Sequence, residues 1–277
     1  MGLKNVSRNH SFHPTAARLG GTKTLTEIRY YQPHRERKQM TDTVLDRSVA
    51  EVVARLKDKG LISLYLCGSF GTQDELPSSD VDLLSVVKDD FDSREAADVD
   101  AYLRTEFTSQ TGIKASLARI TLSELAGDME RDQFIPLPLW VKQFPFFRRV
   151  WGQHIDLATL KVERWSLSEE ARHLIEQIQR SIHSTRRTNG TGKLRAPEFA
   201  KMILHLAFVE VEAEYGLPFD PSYKKLTQSL GHVGDHIVHH AFAVRTSRID
   251  TVDAFLALCE KAEEYVNAIE KRRKSWY

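Results

Sequence analysis

Short continuous apolar runs mark the first part of this chain, and apolar residues at helical spacing fill the rest. Leu45, Val49, Val52, Val53 and Leu56 share one helical face, with Asp42 as the candidate N-cap and Gly60 as the stop. Leu61 to Leu66 and Val81 to Val87 read as buried strands, and Ile113 to Leu122 as a third. A helix from Ser93 to Ser109 lies between the second and third, carrying Ala97, Val99, Leu103 and Phe107. Thr121 to Leu125 begins another helix, and the aromatic group Trp140, Phe144, Phe146 and Phe147 reads as core.

Beyond Ser166 only the helical period remains. Ala171, Leu174, Ile175, Ile178 and Ile182 follow Ser168 as a capped amphipathic helix, which the run 188–192 breaks. Pro197 opens a long helix through Glu214, and further helices are expected at roughly 222–230, 233–245 and 251–273. The pattern predicts an α+β protein: a mixed sheet with flanking helices over 42–160, then a helical bundle over 166–277.

Composition adds little globally, since Lys+Arg is 39 and Asp+Glu 38. The distribution is less even. Residues 1–41 hold eight Lys/Arg against Glu27 and Glu36, without sustained periodicity, and read as a basic arm that is loop or partly disordered. Such an arm suits a polyanion, so RNA stays a candidate partner. Cys67 and Cys259 lie in apolar patterns and read as buried free thiols, which points to a reducing cytoplasm. No run is long and apolar enough for a membrane span.

The chemistry concentrates in one stretch. The strand Leu64-Tyr65-Leu66-Cys67 runs into Gly68-Ser69, and Asp80-Val81-Asp82 opens the next strand. Alternation along a strand sends Asp80 and Asp82 to one side and Val81 and Leu83 to the other. Adjacent carboxylates repel unless a cation lies between them, and hard oxygen ligands suit Mg²⁺ or Mn²⁺ held together with substrate phosphates. Glycine permits close backbone approach, so Gly68 and the Ser69 hydroxyl can receive phosphate.

The stretch GSFGTQDELPSSDVDLLSVV resembles the signature of the DNA polymerase β-like nucleotidyltransferase superfamily, above all small bacterial members such as the aminoglycoside nucleotidyltransferases. Arg148 to Gly152 resembles the closing strand of those domains. The resemblance implies transfer of a nucleoside monophosphate from an NTP to a hydroxyl on a small molecule, RNA or protein, with release of pyrophosphate. It also implies Mg²⁺ (or Mn²⁺) on Asp80 and Asp82 and phosphates at Gly68 and Ser69; the run 214–226 separately resembles the C-terminal domain of some bacterial nucleotidyltransferases, which implies a triphosphate contact from Lys224, or less favourably Lys201. Family members usually add a third carboxylate on the neighbouring strand, whereas 114–119 here holds none. Glu124, Asp128, Glu130 and Asp132 follow, and read as caps or surface. The missing acid supports an alternative, a catalytically weak nucleotide-binding sensor or interaction module. His236 and His240 would share a helical face as a zinc pair does, but no Cys or Glu partner lies nearby, so they read as structural.

Overall fold

A computed structural model describes residues 33–72, 79–126, 137–156, 164–192, 194–247 and 249–276. The expected short element at 24–31, most of the basic arm, and Asp128, Glu130 and Asp132 lie outside the described residues. The first half contains α1 (Pro33–Leu56), β1 (Leu61–Leu66), α2 (Gly68–Thr72), β2 (Val81–Val87), α3 (Ser93–Tyr102), α4 (Thr108–Thr111), β3 (Ala115–Thr121), α5 (Leu122–Ala126), α6 (Leu137–Gln143) and β4 (Arg148–Gly152). α3 and α4 are joined through a π-helical turn over Leu103–Phe107.

The sheet order is β3-β2-β1-β4, with β2 parallel to β3 and the other two pairs antiparallel. β1 and β2 are buried on both faces, which is why they read as continuous apolar runs instead of alternating ones. On one face Leu64, Leu66, Val81 and Leu83 pack with Val52 and Leu56 of α1 and Val99, Leu103 and Phe107. On the other, Tyr65, Leu84, Val86 and Ile120 meet Leu125 and Phe144. The aromatic group is core there, with Tyr65 and Phe144 ring centroids 4.6 Å apart.

The second half is helical: α7 (Leu167–Arg187), α8 (Ala196–Tyr215), α9 (Tyr223–Ser229), α10 (Ile237–Ser247) and α11 (Val252–Arg272). Its central helix α8 buries Phe199, Ile203, Leu204, Leu206 and Ala207 against α7, α10 and α11. Glu210 is buried within this core, where His236 Nε2 lies 3.1 Å away, Tyr265 donates at 2.7 Å and Arg272 at 2.8 Å. Burial opposes ionisation of Glu210, but these hydrogen bonds and the nearby positive charges outweigh it and hold its pKa below the ordinary value.

Three local expectations are corrected. α1 begins at Pro33, so Asp42 lies within the helix and residues 33–41 are helical. Proline at a first helical position has no N–H to leave unsatisfied. The cap of α7 is Ser166, not Ser168: its hydroxyl accepts from the Glu169 N–H while the Glu169 carboxylate accepts from the Ser166 N–H, a reciprocal capping box. His236 precedes α10 and turns to Glu210, so no helical His236–His240 pair forms.

Candidate active site

The site is built where the central strand β1 ends. The Cys67 N–H donates to the Asp82 carbonyl at 2.8 Å, which ties the exit of β1 to the entry of β2. Gly68 then takes φ +59°, a left-handed conformation that lets the chain turn at once into α2. A Cβ on Gly68 would lie 2.8 Å from Asp82 Oδ2, so the carboxylate rests directly against the glycine backbone. Gly71 is equally confined, since a Cβ there would meet the Leu66 carbonyl at 2.7 Å. The two glycines therefore allow α2 to pack on the strand end while the acid stands over the turn.

Asp82 is fixed from its other side by register. β2 and β3 pair in parallel with Asp82 opposite Ser116, and the Ser116 hydroxyl donates to Asp82 Oδ1 at 2.8 Å. One carboxylate oxygen is thus held by a neutral hydroxyl while the other faces Gly68. Asp80 immediately precedes β2 and is exposed. Val81 and Leu83 point into the α1/α3 core, so Asp82 leaves by the opposite face, the one turned toward the bundle.

The bundle supplies positive charge to that face. Lys201 on α8 lowers its pKa chiefly through burial, with Arg245 adding to the effect and Asp82 and Glu198 opposing it. Its side chain is accessible by area yet surrounded by protein, as expected of a lysine in the cleft between the sheet and the bundle. One turn further along α8, His205 Nε2 lies 3.1 Å from the Tyr223 hydroxyl. Burial, reinforced by Lys201 and Arg245, pushes the His205 pKa to about 3, so the ring is neutral at ordinary pH. The same surroundings act on Cys67, whose thiol is pushed up by burial and by the Asp82 charge.

Gly68 and Asp82 are therefore in contact at one end of the sheet, with Ser69 the next residue of α2 and Asp80 immediately before β2. Lys224 is exposed near the start of α9, and Lys201 on α8 lies within range of the Asp82 charge. Glu124 turns away from the site: it accepts from the Thr121 N–H at 2.7 Å, while its own N–H donates to Thr121 Oγ1 at 3.1 Å, a helix cap. Ser116 was not singled out from sequence. Its only signal is the parallel register, which a strand's apolar pattern does not encode. Among the described residues no three His, Cys, Asp or Glu side chains converge as a metal-binding group. The oxygen donors at hand are the two carboxylates, a set suited to a cation that keeps waters and substrate phosphates as its remaining ligands.

Among solved structures, the chain is similar to spectinomycin adenyltransferase AAD(9) from Enterococcus faecialis, crystallised with ATP and spectinomycin. The identity is 15%, the match covers 86% of this chain and 99% of that one, and the TM-score is 0.47. A toxin-antitoxin structure with AMP-PNP matches at 16% identity over 50% of this chain and 97% of that one, TM-score 0.28. A mutant of the MntA-HpeT toxin-antitoxin gives the same values. Superpositions at this level carry no argument about what this chain binds. No curated protein matches the chain significantly. Residues 47–130, which hold β1, the Gly68-Ser69 turn, both aspartates and β3, match the family described as nucleotidyltransferase domain. That segment, with the strand-turn-helix and the two aspartates it carries, is what the chain has in common with the nucleotidyltransferase domain family.

Proposed function

We propose that the chain is a divalent-cation-dependent enzyme that transfers a nucleoside monophosphate from an NTP to a hydroxyl acceptor bound between the sheet and the bundle. The match of residues 47–130 to the nucleotidyltransferase domain supports NMP transfer in general. The observation that carries the finer reading is the Asp82 carboxylate, fixed by Ser116 and set 2.8 Å from the Cβ position of Gly68, with its charge felt at Lys201.

In this reading Asp80 and Asp82 hold Mg²⁺ or Mn²⁺, which when bound neutralises charge on the triphosphate and on the entering oxygen. Gly68 gives the phosphates close access to the backbone, and the Ser69 hydroxyl lies beside them. Lys201 offers a mobile positive charge to the leaving phosphates, with Lys224 as the second candidate. The acceptor oxygen forms its bond to the α-phosphorus as its proton leaves, and the bond from that phosphorus to the bridging oxygen breaks, so pyrophosphate departs with the electron pair. Catalysis of this kind rests on position and charge, which a clamped carboxylate and a nearby lysine provide.

The test is incubation with each of four α-labelled NTPs, Mg²⁺ and a panel of hydroxyl compounds, reading both pyrophosphate release and label transfer. Transfer that is lost in Asp82→Asn supports the proposal. One observation favours a second reading: Ser116, a neutral hydroxyl, occupies the β3 position paired with Asp82. Nucleotide binding in the presence of Mg²⁺ without turnover would favour the binding module.

A further inference from the structure

A cation between two acids joins the two halves of the molecule at one point. Lys142 belongs to α6, just before the sheet's edge strand β4. Its Nζ lies 2.7 Å from Glu170 on α7 and 2.6 Å from Glu212 on α8. The side chain is 18% exposed and that of Glu170 6%, so the cluster is largely removed from water. The same ammonium stands 5.1 Å from the centroid of Phe219. Phe219 in turn meets Phe146, which follows α6, with centroids 5.5 Å apart.

Helix geometry connects this contact to the candidate site. Glu212 and Lys201 are eleven residues apart on α8. At 100° per residue they fall on nearly the same face, about 16 Å apart along the axis. One face of α8 is therefore anchored to the sheet half through Glu212, while three turns away it carries Lys201, within range of the Asp82 charge. Phe146 also links the two places, because its carbonyl lies 3.7 Å from the Cβ position of Gly71 in α2, beside the Gly68-Ser69 turn.

A cavity of ≈ 20 Å³, room for about one water, lies among Leu139, Lys142, Glu170, His205 and Phe219. Without the cation, Glu170 and Glu212 would face each other across a partly dry gap and repel. Burial already raises the Glu170 pKa, with Glu212 acting in the same direction and Lys142 opposing.

We propose that Lys142 is a positioning residue: its bridge to Glu170 and Glu212 sets the width of the cleft and thereby the affinity of the Asp82–Lys201 site for nucleotide. The inference rests on the reading of that cleft as the NTP site. The bridge keeps the binding-competent arrangement populated in the free protein, and a ligand's apparent affinity falls in proportion when that population falls.

The experiment compares wild type with Lys142→Met, Lys142→Arg and the charge-neutral triple variant Lys142→Met/Glu170→Gln/Glu212→Gln, which leaves no unpaired acid should Lys142→Met fail to fold. Titration with AMP-PNP and MgCl₂ is expected to give about a tenfold higher Kd for the folded methionine variants. Lys142→Arg, whose fork also spans two carboxylates, should recover most of it. Small-angle scattering of the nucleotide-free protein should show a larger radius of gyration in the methionine variants alone. Folded methionine variants with either wild-type Kd or wild-type scattering would overturn the proposal. If wild type binds no nucleotide, the reading of the cleft fails, while unchanged scattering would still refute the bridge on its own.

Discussion

Replacing Gly68 by alanine acts on the contact from which the account starts. The new methyl group would lie 2.8 Å from Asp82 Oδ2, well inside van der Waals contact, on a backbone held at φ +59°. The left-handed conformation alone costs an L-residue about 1–2 kcal/mol. The carboxylate must also swing away, which breaks its 2.8 Å hydrogen bond from Ser116. A hydrogen bond to a charged group contributes about 1.5–3 kcal/mol, and the lower end applies because Asp82 is only half buried. The expected loss is about 2–4 kcal/mol, a fall in Tm of roughly 3–7 °C for a chain of this size. Gly112→Ala provides the baseline, since its φ is +70° but a Cβ there meets nothing within 4 Å. It should show the conformational cost alone. The assays are thermal melting by circular dichroism and a Mn²⁺ titration with AMP-PNP present. Gly68→Ala should melt below Gly112→Ala and bind Mn²⁺ at least about tenfold more weakly, as a displaced ligand requires. Equal melting temperatures and unchanged Mn²⁺ affinity would refute the claim that Asp82 stands against this turn as a metal ligand.

Other outcomes follow from the same geometry. Ser116→Ala should lower transfer about tenfold at a stability cost of about 1 kcal/mol, read by initial rates and denaturant melts; an unchanged rate would remove Ser116 from the positioning of Asp82. Lys201→Met should weaken nucleotide binding more than Lys224→Met does, measured by calorimetry, and the reverse order would move the triphosphate contact to α9. Glu210 has its folded pKa below the unfolded value of 4.5, so its contribution is present above that value and fades as pH falls through the folded one. Wild type should therefore lose stability on acidification below about pH 4.5. Glu210→Gln should lose part of that slope and about 2 kcal/mol at neutral pH, since it mismatches the buried donor Tyr265 and the partly exposed donor Arg272. Parallel pH slopes for the two proteins would count against the Glu210 network.

What the sequence discloses and what it withholds divide along physical lines. Strands β1 and β2 are legible because burial on both faces demands unbroken apolar runs, and the Gly68-Ser69 turn because an abrupt strand-to-helix exit needs glycine. Ser116 is silent because its role comes from lying opposite Asp82 in a parallel pair, and register depends on neighbours distant in the chain. The choice between Lys201 and Lys224 depends on how α8 is docked against the sheet, a contact made partly through Lys142 with acids 28 and 70 positions away. Helix starts are read less well than helix faces. Asp42 and Ser168 are good capping residues by type, yet Pro33 opens α1 and the Ser166–Glu169 pair closes the start of α7. His236 and His240 have helical spacing, but the helix begins at Ile237 and the buried carboxylate of Glu210 takes His236 first.

The most direct test is NMP transfer by purified Asp82→Asn. Asparagine keeps the shape of the side chain and an oxygen to accept the Ser116 hydrogen bond, so the melting temperature should stay near that of wild type. The charge needed to hold a cation is gone, and transfer should fall to background. A folded Asp82→Asn protein that still transfers NMP at the wild-type rate would contradict the account.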